Sequence, residues 1–215
     1  MNGNSSASRE QIIVLGMTGA SGAPYTWRLL ECLLAANRTV FFMISKAARL
    51  VSATETSLRL PSNPRALEQA LRTHYQVDEG RIRVFGEENW MAPVASGSGI
   101  RCPMVICPAS MGVISAIAAG ASNCLIERAA DVALKEGRKL VLVPRESPLS
   151  AIHLENMLKL SRMNAVILPA SPGLYHRPSS VAALLDFIVA RILDQLEVEH
   201  TLIPRWGQGG TEQAG

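Results

Sequence analysis

Short apolar segments alternate with helical patterns along most of this 215-residue chain. Each apolar segment is rich in Val, Ile, Leu or Met and has the length of one strand. The segments between them place apolar residues three and four positions apart, as one face of a helix does. This pattern predicts strands over residues 11–17, 39–44, 81–85, 104–107, 139–143 and 165–168. It predicts helices over residues 23–35, 46–54, 64–75, 113–119, 126–136, 150–162 and 181–197.

Alternating strands and helices are typical of an α/β fold with a doubly wound, mostly parallel sheet flanked by helices, Rossmann- or flavodoxin-like. The near-continuous apolar character of the strands fits burial on both faces. We expect a single domain over residues 11–199, after a disordered or flexible leader at 1–10 and before a C-terminal tail at 200–215. In such sheets ligands bind where the carboxyl ends of the strands meet, so the loops after the strands are the candidate site.

A glycine-rich loop follows the first predicted strand, with Gly16, Gly19 and Gly22 spaced by three. Backbone N–H groups in such a loop can approach an anion closely, and the following helix adds the partial positive charge of its N-terminus. Thr18 and Ser21 would add hydroxyl donors. The spacing matches neither the dinucleotide fingerprint nor a Walker loop. It predicts a nucleotide-type ligand, with a tight connection as the alternative.

Composition narrows the class of partner. A hydrophobic fraction of 48% is ample for one core. The 21 basic and 18 acidic residues give a net charge of +3, too balanced for a nucleic-acid binder, and 5% aromatic residues argue against a base-stacking platform. A small-molecule partner is favoured.

Cysteines and apolar runs bear on metal sites and location. Cys32, Cys102, Cys107 and Cys124 lack paired metal-site spacing, so we expect buried free thiols and no metal centre. The first ten residues are polar, and no apolar run approaches the length of a membrane span. These features predict a cytoplasmic protein without a membrane span.

Seven ordered motifs carry a family resemblance. They read MTGASGA at 17–23, ISKAA at 44–48, CPASMG at 107–112, RAADVALKE at 128–136, VPRESPL at 143–149, HLENM at 153–157 and PGLYHRP at 172–178. Together they closely resemble the UbiX-type flavin prenyltransferases, from about residue 11 to Trp206. The resemblance implies a transferase that joins a dimethylallyl group from dimethylallyl monophosphate to N5 and C6 of reduced FMN.

The same resemblance implies partners and assembly. The product, prenylated FMN, would serve a UbiD-type decarboxylase, and the reaction would need no metal. Relatives assemble as homo-oligomers, often dodecamers, with their sites at subunit junctions. We therefore expect a homo-oligomer, with a dodecamer as the expected form.

The resemblance also assigns site residues. Those expected to bind FMN are Gly19, Ala20, Ser21, Ser45, Ser110, Met111, Gly112, Val113 and Arg145. Those expected to bind the prenyl phosphate are Trp90, Arg128, Lys135, Glu146, Tyr175 and Arg191. The expected catalytic residues are Ser21, Glu55, Glu146 and Lys135.

The departure of the phosphate explains why several of these residue types are needed. A departing phosphate develops negative charge, which preorganised cations and hydroxyls stabilise. Arg128 and Lys135 lie two helical turns apart, so both can point from one helix face at one anion. The resemblance also implies that Ser21 lies near flavin N5 and that Glu55 relays the N5 proton, with a surface carboxylate at a helix end as the alternative for Glu55.

Other positions leave alternatives open. Glu146 could pair with Arg145 or donate a proton to the departing phosphate. Trp90 could stabilise an allylic cation through its ring face or simply pack in a core or interface. His153 and His176 have no paired nucleophile or metal partner, so a structural role is favoured.

Three residues depart from the pattern of many relatives. Ala109 stands where many have Cys, Val113 where many have Thr, and Leu174 where Phe is common. The Val113 change removes a hydroxyl from a flavin loop, and Leu174 leaves a smaller wall beside Tyr175. None removes a proposed phosphate ligand.

Two other functions stay open: an FMN-binding carrier, and a flavin-dependent cysteine decarboxylase without prenylation activity. Neither would need a second anion pocket beside the flavin. The cations and hydroxyl expected there, on Arg128, Lys135, Tyr175 and Arg191, favour the transferase.

Overall fold

A computed structural model of the chain describes residues 12–204. The strands are β1 (Ile12–Met17), β2 (Thr39–Ile44), β3 (Ile82–Phe85), β4 (Met104–Ala109), β5 (Leu140–Pro144) and β6 (Val166–Ile167). The helices are α1 (Ala23–Ala35), α2 (Lys46–Glu55), α3 (Pro64–Tyr75), α4 (Met111–Ala118), α5 (Leu125–Lys135), α6 (Ala151–Arg162) and α7 (Val181–Gln195), with a short 3₁₀ turn at Pro93–Ala95.

All six strands pair in parallel in one sheet of order β3-β2-β1-β4-β5-β6. This is the doubly wound order of the Rossmann fold. The chain winds outward from β1 to β3 and then returns to the other side of β1 at β4. The order therefore reverses between β1 and β4, which places the ligand crevice at their carboxyl ends.

The sheet is buried on both faces. Along β1, Ile13, Leu15 and Met17 belong to one apolar cluster with α1 and α7, while Val14 belongs to a second cluster with α4, α5 and α6. Successive side chains of a strand point to opposite faces, so each strand needs apolar residues at nearly every position. This explains the continuous apolar segments and confirms the predicted fold class.

The predicted elements agree with the structure except near some ends. Helix α4 begins at Met111 instead of Val113, because the Ser110 hydroxyl accepts a hydrogen bond from the Val113 N–H at 3.4 Å and caps the helix. Helix α7 ends at Gln195, two residues before the predicted end, and Glu197 has a left-handed φ of 56°.

Some predictions lie partly or wholly outside the described residues. These are the leader at 1–10, the first residue of the predicted β1 segment and the last part of the tail, 205–215. Among residues 12–204, none of the helices has both the length and the apolar character needed to cross a membrane.

Candidate active site

Thr18 joins the two loops that leave β1 and β4. Its hydroxyl donates to the carbonyl of Pro108 at 2.8 Å and accepts from the N–H of Ser110 at 2.7 Å. The Thr18 N–H also donates to the Pro108 carbonyl, at 3.2 Å. The residue is only 1% exposed. The expectation that Thr18 donates to a bound anion is therefore wrong, because its hydroxyl already makes both of these internal hydrogen bonds.

The Ser21 end of the glycine loop is held from two sides. The Glu55 carboxylate, at the end of α2, accepts hydrogen bonds from the N–H groups of Gly22 at 2.9 Å and Ala23 at 2.8 Å, and from the Ser21 hydroxyl. From the other side, Arg145 donates from Nε to the Ser21 carbonyl at 3.1 Å. These contacts bring together three residues from distant parts of the chain. Ser21 follows β1, Glu55 is the last residue of α2, and Arg145 follows β5.

These contacts set the protonation state of Glu55. Burial by itself raises the pKa of the carboxyl. The three hydrogen bonds to it and the charge of Arg145 outweigh burial, so the pKa lies below its ordinary value. Glu55 is therefore ionised at neutral pH and accepts the hydrogen bond that orients the Ser21 hydroxyl.

Two positions of the loop require glycine for different structural reasons. Gly22 has a φ of 125°, which L side chains rarely adopt, and a Cβ there would lie 3.0 Å from the Tyr25 ring. A Cβ on Gly19 would lie 2.6 Å from the Cβ of Ala47, in the first turn of α2. Gly19 therefore permits close packing of the loop on α2.

Two serines cap helices at this same edge. Ser45 accepts from the N–H of Ala48 at 3.1 Å at the start of α2, and Ser110 caps α4 in the same way. An N-cap hydroxyl uses an acceptor lone pair and keeps its own proton for another partner. Met111, Gly112 and Val113 form the first turn of α4, and a Cβ on Gly112 would meet no atom within 4 Å.

A cleft of about 300 Å³ adjoins Arg145 at the ends of β5 and β6. It is lined by Arg145, Glu146, Leu149, Met157 and Ser171, among others. Glu146 is exposed and accepts from the Ser147 N–H at 3.2 Å. The ion pairs found among residues 12–204 do not include a pair between Glu146 and Arg145.

Arg128 and Lys135 share one face of α5, as their spacing predicts. Arg128 donates from Nε to the carbonyl of Ala95 at 2.9 Å, and Lys135 Nζ lies 3.0 Å from where a Cβ on Gly97 would stand. Both cations therefore border residues 95–97. Each also pairs with a nearby carboxylate, at 3.0 and 2.7 Å respectively: Asp131 and Glu136.

Helix α5 carries Lys135 away from the glycine loop. The helix starts at the carboxyl edge of the sheet, where the Leu125 N–H donates to the Glu87 carbonyl just after β3. It ends near Lys139, whose carbonyl accepts from Met104 at the amino end of β4. Eleven residues of helix span about 16 Å. In one copy of the chain, Lys135 thus lies near the opposite edge.

Tyr175 and Arg191 lie around α7. The Tyr175 ring is 63% exposed and stands edge-on to Phe187 at 5.7 Å, and a Cβ on Gly173 would lie 2.9 Å from both rings. Arg191 is one helical turn after Phe187 and pairs with Asp194 at 2.6 Å.

Trp90 is 46% exposed, and its neighbour Met91 is 93% exposed. Core packing therefore does not describe Trp90 in a single copy, which leaves an interface contact or a prenyl contact. His153 completes a capping box with Ser150 at the start of α6, in keeping with a structural role.

The cysteines are free thiols, as expected, but only two are buried. Burial raises the pKa of Cys102 to about 11, and it raises the pKa of the Cys107 thiol as well. Cys32 and Cys124 are only partly buried, so the expectation of burial is wrong for them. Among the described residues no cluster of three or more metal-ligating side chains occurs.

Comparison with known proteins places the chain in a family. The Flavoprotein family model matches residues 1–193. The flavin prenyltransferase UbiX of Pseudomonas aeruginosa is 61% identical over 196 residues, which cover 91% of this chain and 94% of the relative. The chain belongs to the UbiX family of flavin prenyltransferases. The UbiX of Alkalihalophilus pseudofirmus is 46% identical, over 93% of this chain and 98% of its own.

Solved UbiX-family structures share the fold throughout. A dodecameric FMN-dependent Ubix-like decarboxylase from Escherichia coli O157:H7 is 40% identical, with a TM-score of 0.78 over 91% of this chain and 98% of its own. AnUbiX (PadA1) in complex with FMN and dimethylallyl pyrophosphate is also 40% identical, with a TM-score of 0.80 over 91% of this chain and 97% of its own. The peptidyl-cysteine decarboxylase EpiD, at 12% identity and a TM-score of 0.53, shares the fold alone.

The residues at the carboxyl edge of the sheet in this UbiX-family chain fit the chemistry of a flavin mononucleotide. The start of α4 faces open space beside Gly112, and helix N-termini favour phosphate or carbonyl oxygens through their N–H groups. Half-buried hydroxyls and one guanidinium lie on the loops at this edge of the sheet: Ser21, Ser45, Ser110 and Arg145. Hydroxyl donors and a fixed cation match the phosphate, ribityl and ring oxygens of FMN.

The candidate residues of this UbiX-family chain fall into three groups. The loop group comprises Ser21, Ser45, Glu55, Ser110 and Arg145. The α5 group comprises Arg128 and Lys135, and the α7 group comprises Tyr175 and Arg191. A single copy brings residues of the loop group together and carries Lys135 toward the opposite edge of the sheet. Sequence reasoning missed the internal role of Thr18, because the motif does not reveal in which direction a hydroxyl points.

Proposed function

We propose that this chain is a flavin prenyltransferase that transfers a dimethylallyl group from dimethylallyl monophosphate to N5 and C6 of reduced FMN. The carrying observation is the Ser21–Glu55 pair beside Arg145, at the point where the strand order reverses. The pair combines an ionised carboxylate with a hydroxyl that it orients. The 61% identity to a flavin prenyltransferase UbiX supports the same reaction.

Reduced FMN supplies the nucleophilic nitrogen and ring carbon. Ser21 accepts the proton that leaves N5 while its own hydroxyl proton passes to Glu55, which is ionised and already hydrogen-bonded to it. Arg145 fixes the Ser21 backbone, so the hydroxyl keeps its position during the transfer. The hydroxyls of Ser45 and Ser110 and the first turn of α4 hold the rest of the flavin.

The departing phosphate develops negative charge, which cations of the protein would stabilise. Arg128, Lys135 and Arg191 supply charge, and the Tyr175 hydroxyl supplies a donor. We expect Glu146, which lines the cleft beside Arg145, to give the leaving phosphate a proton. The Trp90 ring covers the prenyl group and stabilises positive charge on it through its face.

We further propose that neighbouring copies complete the site. Lys135 of the α5 group lies toward the opposite edge of the sheet from the loop group in one copy, and a similar protein from Escherichia coli O157:H7 is dodecameric. In a homododecamer the α5 group of one copy and the α7 group of another can face the loop group of a third. The prenylated FMN would pass to a UbiD-type decarboxylase, and a cytoplasmic location stays a prediction.

Phosphate release distinguishes the transferase from the two alternatives. Under anaerobic conditions, reduced FMN and dimethylallyl monophosphate are expected to yield one inorganic phosphate for each FMN consumed, and omission of FMN should abolish the release. A carrier would bind FMN and release no phosphate. A cysteine decarboxylase would instead release carbon dioxide from a peptidyl- or pantothenoyl-cysteine. A parallel assay with dimethylallyl pyrophosphate, the molecule bound in AnUbiX, tests the preference for the monophosphate.

A further inference from the structure

We propose that Thr18 is a positioning residue that fixes the separation of the two FMN-binding loops. The inference rests on the proposed function, since it concerns how this chain holds its flavin. Thr18 touches neither flavin nor prenyl donor in this account. It acts through Ser21 on one side and through the start of α4 on the other.

The hydrogen bonds of Thr18 link both loops through one side chain. Its hydroxyl has one proton, which is given to the Pro108 carbonyl at 2.8 Å, and a lone pair that takes the Ser110 N–H at 2.7 Å. Since the side chain is 1% exposed, water cannot replace either partner without rearrangement. The side chain therefore adds two buried hydrogen bonds between the loops, beyond the pairing of β1 with β4 and the Thr18 N–H bond to the Pro108 carbonyl.

Thr18 is adjacent to residues proposed to bind FMN, so a change at Thr18 can alter ligand binding. It directly precedes Gly19, Ala20 and Ser21, and its hydroxyl holds Ser110, the N-cap of α4. A shift of about 1 Å between two walls of a site is enough to misalign bound groups and cost about a hundredfold in rate. A change at Thr18 is thus transmitted to both walls at once.

Thr26 offers a matched control, because its hydroxyl bonds to the same strand, β4. It is fully buried, and its hydroxyl donates to the carbonyl of Cys107 at 2.6 Å, one residue before Pro108. Thr26 lies on α1 and connects that helix to β4 behind the loops. Thr26→Val therefore removes the same group from a buried hydrogen bond to the same strand and leaves the link between the loops intact.

The experiment compares Thr18→Val, Thr18→Ser and Thr26→Val in the full-length chain. FMN dissociation constants come from quenching of flavin fluorescence, and thermal midpoints report folding. We expect Thr18→Val to weaken FMN binding at least about tenfold and to lower kcat by a similar factor. Thr18→Ser, which keeps the hydroxyl, should stay within about twofold of the unmutated chain. Thr26→Val should lower the thermal midpoint like Thr18→Val and keep its FMN affinity.

Each outcome decides one claim. Equal FMN affinity in Thr18→Val and Thr26→Val would overturn the role of Thr18 and leave the proposed function standing. Failure of the unmutated chain to bind FMN would instead overturn the proposed function. If Thr18→Val does not fold, Thr18→Cys takes its place, because it keeps the volume and has a weaker hydrogen-bonding group. The same comparison with Thr26→Val then applies.

Discussion

Glu55 illustrates at the residue scale how backbone geometry controls a single carboxylate. It sits at the last position of α2, where sequence alone leaves a surface carboxylate as an equal alternative. In the fold, two N–H groups and the Ser21 hydroxyl converge on it. Its depressed pKa follows from those donors and from Arg145. The residue is therefore bound into the glycine loop instead of being free at the surface.

The pH dependence of stability tests this environment. A carboxyl whose pKa is lowered by folding stabilises the native state above its unfolded pKa, ordinarily 4.5, and loses that contribution as pH falls through the folded value. At neutral pH we expect Glu55→Gln to lower the free energy of unfolding by about 1–2 kcal/mol, a range that allows for solvent screening. The difference should disappear in acid. Denaturant melts at several pH values measure it.

Glu155→Gln, an exposed position on α6, provides the control and should show no such pH-dependent loss. A Glu55→Gln deficit that persists unchanged well below the ordinary pKa would contradict the assigned ionisation.

A substitution at Lys135 tests whether this residue acts in the prenyl transfer and not in FMN binding. Lys135→Ala is expected to keep FMN affinity and to lower turnover by about a hundredfold, because a preorganised cation for the leaving phosphate is lost. Steady-state kinetics and flavin titration separate the two effects. Lys139→Ala, which removes a cation paired with Glu197 at the amino edge, should preserve both. Loss of FMN itself in Lys135→Ala would mean that the residue is misassigned.

At the element scale, the agreement of predicted and observed elements follows from burial. Strands buried on both faces are apolar throughout, and helices that pack on a sheet show one apolar face, so both leave a clear pattern. The start of α4 was wrong by two residues because the cap at Ser110 depends on side-chain geometry. The loop contacts of Glu55 and Arg145 could not be predicted from spacing, since they join residues far apart in sequence.

Gly22 tests the conformation of the first loop. Gly22→Ala must hold a φ near 125° and crowd the Tyr25 ring, so we expect about 1–3 kcal/mol of destabilisation together with a marked loss of FMN affinity. Gly80→Ala is a control with a similar strain, because Gly80 has a φ of 86° and an open surrounding far from the loop group. It should lose stability and keep FMN affinity. Equal FMN affinity in the two variants would count against the loop as a flavin wall.

At the scale of the whole molecule, one copy does not assemble all the expected phosphate ligands. Sequence predicts their identities through the family motifs, but it does not show which copy supplies each. Large exposed apolar side chains accompany the separated groups, including Met91 at 93%, Leu174 at 67% and Val181 at 71% exposure. Large apolar side chains left exposed in one copy are available for contacts between copies. This exposure agrees with a site shared among copies.

Complementation tests the shared site. Ser21→Ala and Lys135→Ala chains, each expected to have strongly lowered turnover alone, are co-expressed in equal amounts and purified as mixed oligomers. If Ser21 and Lys135 of one site come from different copies, random assembly should restore roughly a quarter of the unmutated activity. Mixed oligomers of the unmutated chain and a chain that carries both substitutions provide the control. No recovery above the separate variants would show that each site draws both residues from one copy.

The mass of the flavin after turnover tests the central claim most directly. The purified chain is incubated anaerobically with reduced FMN and dimethylallyl monophosphate, and the released flavin is examined by mass spectrometry. The account predicts a flavin heavier by one five-carbon prenyl unit, formed only when chain, reduced FMN and prenyl donor are all present. A flavin of unchanged mass, recovered from a chain shown to bind FMN, would contradict it.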